Sequence, residues 1–164
     1  MLITLLSVVL MTGCGNPEVG IEEKNEEIAV EVANAGVLGE NLGIIIKMPA
    51  DFENVTYNII NEETGEMKFA IDKVEYSCLV EGSVAEVNLY ESIKGETTPF
   101  EIVETGLEGK IPYTFMVNKN FANVVTWNDE NYQVAYTLYT VGTEMQEETL
   151  DTAKKIMASQ GNDN

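Results

Sequence analysis

An apolar–polar alternation with a period of two, repeated in several short runs, most narrows what this chain can fold into. Met67, Phe69 and Ile71 form one run and Val74, Tyr76, Cys78 and Val80 the next, with Asp72-Lys73 between them as a hairpin turn. Ile111, Tyr113, Phe115 and Val117 form the clearest run, and Tyr132, Val134, Tyr136 and Leu138 close the series. Successive side chains of a strand point to opposite faces, so each run places its apolar members on one side of a sheet. Val55, Tyr57 and Ile59 alternate in the same way, and Asn61 to Gly65 reads as a loop. Ile44-Ile45-Ile46-Lys47 reads as a short strand stopped by Pro49, and Phe100 to Ile102 as the start of another strand. Val125 and Trp127 run into Asn128-Asp129-Glu130-Asn131, a turn by composition. Gly82 to Pro99 is less regular, with Val84, Val87 and Leu89 spaced to allow a helical turn. Short turns between consecutive runs make antiparallel hairpins and argue against the βαβ alternation of nucleotide-binding folds.

The last element is a helix. Thr143 followed by Gln146 makes a capping box, Glu144, Glu147 and Glu148 suit its N-terminus, and Lys154-Lys155 suit its C-terminus. Gln146, Leu150, Ala153 and Met157, with Ile156 beside them, give an apolar stripe of the kind that packs on a sheet. The expected fold is therefore α+β: a single antiparallel meander-type sheet, flat or curved, covered by a C-terminal helix.

The front of the chain has a different character. Leu2 to Met11 is an uncharged apolar run of signal-peptide length, too short for the ~20 residues that span a bilayer. It leads into Thr12 and Gly13, both slim, and then Cys14. Leu10-Met11-Thr12-Gly13-Cys14 resembles the lipobox of a bacterial lipoprotein signal peptide, although Met11 stands where Leu is usual and no lysine or arginine precedes the apolar run. The resemblance implies that residues 1–13 are removed and that Cys14 carries the lipid, palmitate among its chains. More than one acyl chain holds a protein stably, at ~0.8 kcal/mol per buried CH₂.

Residues 14–42 read as an acidic tether, with Glu18, Glu22, Glu23, Glu26, Glu27 and Glu31 against a single Lys24. Gly36, Gly39 and Gly43 punctuate its join to a folded domain over residues 43–158, and residues 159–164 read as a disordered tail. The formal charge of -19, with lysine as the only basic residue type, argues against nucleic acid and against docking on anionic headgroups. With Cys14 acylated, Cys78 is the one cysteine left, so no intramolecular disulfide is available; such a cysteine is a buried small hydrophobe or a reactive thiol, and its place in an alternating run favours the first.

A second resemblance covers residues 40 to 158. Gly43-Ile44 leading to Met48-Pro49, the strand pattern from Tyr57 through Phe69 to Tyr76, Val125-Thr126-Trp127-Asn128 with Tyr132 and Tyr136, and the helix around Glu147-Glu148-Thr149-Leu150 carry it. Together these resemble a bacterial domain-of-unknown-function family found in lipoproteins and in the extracytoplasmic parts of anti-sigma factors. Glu81 to Thr98 departs from that pattern by lacking a glycine-rich turn. The resemblance implies no catalytic residue and no cofactor, and suggests a module that binds or senses something outside the membrane.

The inventory of reactive groups is sparse. The chain has no histidine, which removes most metal sites and every Ser-His or Cys-His nucleophile. It has no C-x-x-C pair and no phosphate-cradling loop. The acidic turn at Asp129-Glu130 lacks EF-hand spacing and reads as solvated rather than as a metal site. Trp127, Tyr132 and Tyr136, with Tyr139, are the candidates for an apolar ligand groove; aromatics at such positions otherwise belong to the core. The expectation is a non-enzymatic, lipid-anchored extracytoplasmic binding or sensing protein on the cell membrane, without cofactor. Its partners would be the membrane, through Cys14, and an extracytoplasmic ligand or protein. A lipid or lipopeptide carrier with an apolar groove is the alternative, and a paired-carboxylate hydrolase a more remote one.

Overall fold

The structure, a computed structural model, describes residues 29–82, 100–118, 121–129, 134–142 and 144–160. Its elements are β1 (Val30–Val32), α1 (Ala35–Leu42), β2 (Thr56–Ile59), β3 (Thr64–Ile71), β4 (Val74–Glu81), β5 (Glu101–Glu108), β6 (Ile111–Asn118), β7 (Ala122–Asp129), β8 (Val134–Val141) and α2 (Gln146–Gln160). Cys14, the apolar run before it, Tyr132, Thr143 and the Gly82–Pro99 stretch apart from Gly82 lie outside the described residues.

Local chemistry sets the hairpins. Asp72 and Lys73 both have left-handed φ, 50° and 71°, as a primed two-residue turn requires, and they bring Ile71 opposite Val74. The Asn61 side chain accepts hydrogen bonds from the backbone N–H groups of Glu63 (2.9 Å) and Thr64 (2.8 Å), folding the β2–β3 connection on itself. The strands form one open antiparallel sheet in the order β1-β2-β3-β4-β8-β7-β6-β5. Two four-strand meanders thus meet where β4 pairs with β8. The α+β class, the single antiparallel sheet and the covering C-terminal helix are as the alternation indicated.

The core lies between the sheet and the two helices. Gly65, Val80, Tyr136, Trp127 and Tyr113 follow one another in register across β3, β4, β8, β7 and β6. Their face carries the large core cluster with Leu38 and Leu42 of α1 and Leu150, Ile156 and Met157 of α2. Ile156 and Met157 are fully buried, each contributing roughly 1.5–3 kcal/mol. Gly65 lets α1 approach: a Cβ there would sit 2.7 Å from Leu38 Cδ1. Met116, Ala122 and Val124 form a smaller cluster on the opposite face, with Phe100, Phe121 and Tyr139 against it.

Four readings need correction. The described part of the stretch taken as tether, residues 29–42, is joined to the domain: β1 pairs with β2, and Leu38 is fully buried. Ile44 to Lys47 is irregular rather than a strand; Ile44 and Ile46 pack inward while Ile45 stays exposed. Gln146 is exposed, and the buried stripe of α2 begins at Thr149. That helix continues through Ser159 and Gln160, residues expected in the tail, because Gln160 is buried against Trp127. Among the described residues no helix is long and apolar enough to cross a membrane.

Candidate functional site

Trp127 and Tyr136 do not line an open groove. They stand on adjacent strands in the same register, their rings stacked 5.1 Å apart and 5° from parallel. Both are buried under α2, and the indole Nε1 donates to Gln160 Oε1 at 3.1 Å. That hydrogen bond satisfies a donor that burial would otherwise penalise by roughly 1–3 kcal/mol. Gln160 Nε2 has no partner among the described residues. The pair is therefore core, and α2 covers the aromatic face. Asp129 is likewise 2% exposed at the end of β7 instead of solvated. Among the described residues no group of carboxylates and thiols could hold a metal ion.

Tyr139 lies elsewhere. Three residues beyond Tyr136 on β8, it falls on the other face of the sheet, as an odd separation demands. There it lines a cleft of about 800 Å³ with Lys68, Lys73, Glu75, Ser77, Gly142 and Glu144. Register builds this site: Lys68 pairs with Ser77 and Ser77 with Tyr139, so an ammonium, a hydroxyl and a phenol stand in a row across β3, β4 and β8. The cleft adjoins a second concavity of about 490 Å³ that shares Lys68, Glu75 and Ser77 and reaches Asn54 and Thr56. Sequence reasoning missed Lys68 and Ser77, whose only signal was that they occupy polar positions of alternating runs.

Lysine beside serine is also the residue pairing of some nucleophilic hydrolases, so its electrostatics matter. Lys68 Nζ lies 3.1 Å from Glu66 Oε2, and more than half of its side chain is exposed. The ammonium is thus ion-paired with a carboxylate of its own strand. Among the described residues no hydrogen bond links Lys68, Ser77 and Tyr139. The row presents an ammonium, a hydroxyl and a phenol side by side at the cleft.

A second polar cluster lies under α2. Tyr113 Oη donates to Glu104 Oε1, and Lys154 Nζ lies 3.9 Å from the same oxygen and 5.3 Å from the Tyr113 ring centre. The Glu104 hydrogen bond and then burial push the Tyr113 phenol up, and the Tyr113 hydrogen bond raises Lys154. This cluster ties the middle of α2 to β5 and β6. Lys154 thus serves a tertiary contact rather than the helix C-terminus. Cys78 is fully buried at the sheet's centre, and desolvation, with Glu66 adding, pushes its thiol far up, which leaves it inert in the folded protein.

Fold and site together describe an open antiparallel sheet with one helix-covered face and a polar cleft on the other. Comparison with models of known protein families, with characterised proteins and with solved structures found no match to this chain.

Proposed function

We propose that the chain is an extracytoplasmic binding module held at the cell membrane by a lipid on Cys14. The observation that carries this reading is Leu10-Met11-Thr12-Gly13-Cys14 behind an uncharged apolar run. Its distant relationship to the domains of lipoproteins and anti-sigma factors is part of the same proposal. The cleft at Lys68, Ser77 and Tyr139 supports a binding role, since its mixed ammonium, hydroxyl and carboxylate lining suits a small polar ligand. The acidic surface supports a site that excludes nucleic acid. The groove of a lipid carrier draws no support from Trp127 and Tyr136, which α2 covers.

Labelling cells that express the full chain with an alkynyl palmitate analogue tests the anchor. The label and the membrane-bound fraction should both be lost in Cys14→Ser. Label retained by that variant, or a wild-type chain that fractionates as free protein, would overturn the reading.

A further inference from the structure

The sheet has two ends of unequal character, β1 with three residues and β5 with eight. Among the described residues β5 pairs with β6 alone, so half of its backbone groups turn away from the described sheet. Of the six exposed large hydrophobics among the described residues, Ile102 (66% exposed), Val103 (52%) and Leu107 (68%) all lie on this strand. Proteins usually guard a long edge with charged side chains, proline or a bulge. β5 has no proline; its guards are three glutamates and the irregularity between Ile102 and Glu104, so a strand that docks there must answer those carboxylates. A clustered apolar edge of this length is a template for another strand.

The two faces of β5 carry different chemistry. Glu101, Glu104 and Glu108 pair with Val117, Phe115 and Ile111, all core residues, which puts the three carboxylates on the α2 side. Ile102 and Leu107 pair with Met116 and Pro112 and so project from the other face. From this arrangement we propose that the outer edge of β5 docks an extended segment of a partner protein whose residues alternate between apolar and basic. The segment adds to the sheet as a further strand, its apolar side beside Ile102 and Leu107 and its basic side beside Glu101 and Glu108. Main-chain hydrogen bonds supply affinity in such strand addition, and the alternating side chains supply specificity. A second copy of this chain fits poorly. Antiparallel self-pairing about the strand's midpoint sets Glu101 against Glu108, and it brings together two chains of charge -19. The proposal rests on reading the domain as a binding module but is independent of the anchor, so labelling at Cys14 and docking at β5 can fail separately.

The test uses the full chain and two fluorescent peptides of equal composition, one alternating lysine and valine, the other with lysines and valines in separate blocks. At physiological salt the alternating peptide should bind at least tenfold more tightly, and the preference should vanish in Ile102→Lys/Leu107→Lys. Hydrogen exchange on the unaltered chain keeps the test decisive if that variant fails to fold: the alternating peptide should slow exchange of amides in β5. Equal binding of the two peptides would mean charge attraction alone and overturn the proposal, as would unchanged exchange in β5. A wild-type dimer in sedimentation that Ile102→Lys/Leu107→Lys dissociates would also overturn it, by giving the edge to a second copy.

Discussion

At the scale of single residues, Glu81 links the fold to pH. It ends β4 opposite Ala135, and burial first, then the nearby Glu63 carboxylate, push its carboxyl up from the usual range. A raised folded-state value means that the native protein holds this proton more tightly than the unfolded chain does. The resulting stability is fully present below the unfolded-state value, roughly 4.3, and is lost as pH rises through the folded-state value. Glu81→Gln keeps the shape of the protonated group and removes its titration. Urea midpoints measured from about pH 4 to pH 7 should therefore show the variant gaining on the wild type as pH rises. Parallel curves would contradict the sign. The comparison is differential because the net charge of -19 makes every other carboxylate a background of self-repulsion.

At the scale of elements, α1 shows how a short helix can be built around two glycines. Asn34 caps it by accepting from the Val37 N–H at 3.0 Å, and Gly43 closes it with a left-handed φ of 68°. Between those caps Gly39 looks replaceable, since alanine has a helix propensity better by ~1 kcal/mol. Its surroundings say otherwise: a Cβ at Gly39 would stand 2.5 Å from the Ile44 carbonyl oxygen, which belongs to backbone and cannot swing aside. Gly39→Ala should therefore destabilise the protein by ~1–3 kcal/mol, read as a lowered denaturation midpoint. A stabilised variant would mean that residues 43–46 relax freely.

The same helix marks the limit of what the amino-acid pattern reveals. β3, β4, β6 and β8 were legible because the face of each turned to the large core carries its bulky apolar side chains, which writes a period of two into the residues. α1 spans only eight residues and includes two glycines, so it resembled a linker, with Gly43 read only as part of the join. Ile44 to Ile46 had the apolar content of a strand, yet pairing is a property of neighbours and none of the described strands lies beside it. The cleft was hidden for a related reason. Lys68, Ser77 and Tyr139 become a row only through the β3–β4 and β4–β8 registers. Tyr136 and Tyr139 could be assigned to opposite faces from spacing alone, but not which face α2 would cover.

At the scale of the whole molecule, the question is whether two meanders make one cooperative unit. Each half has its own helix: α1 packs on β2 and β3, and α2 packs across β5 to β8. The chain could in principle unfold in two steps, but the contacts at the β4–β8 seam oppose it. Cys78 pairs with Leu138 and Val80 with Tyr136, all four in one continuous core with Met67 on one side and Trp127 on the other. Tyr76 of β4 is buried in the same core cluster as Leu150, Ala153, Ile156 and Met157 of α2, so the first half's last strand and the second half's helix share one core. Losing either meander would expose the seam side chains of the other, a penalty of roughly 1.5–3 kcal/mol for each large residue uncovered. The single tryptophan, Trp127, reports on one half and the Cys78 thiol, protected until it is exposed, on the other. Across a urea titration, Trp127 fluorescence and labelling at Cys78 resolved by peptide mass should give the same midpoint. Midpoints separated by more than the measurement error would divide the sheet at β4–β8 into two independent units.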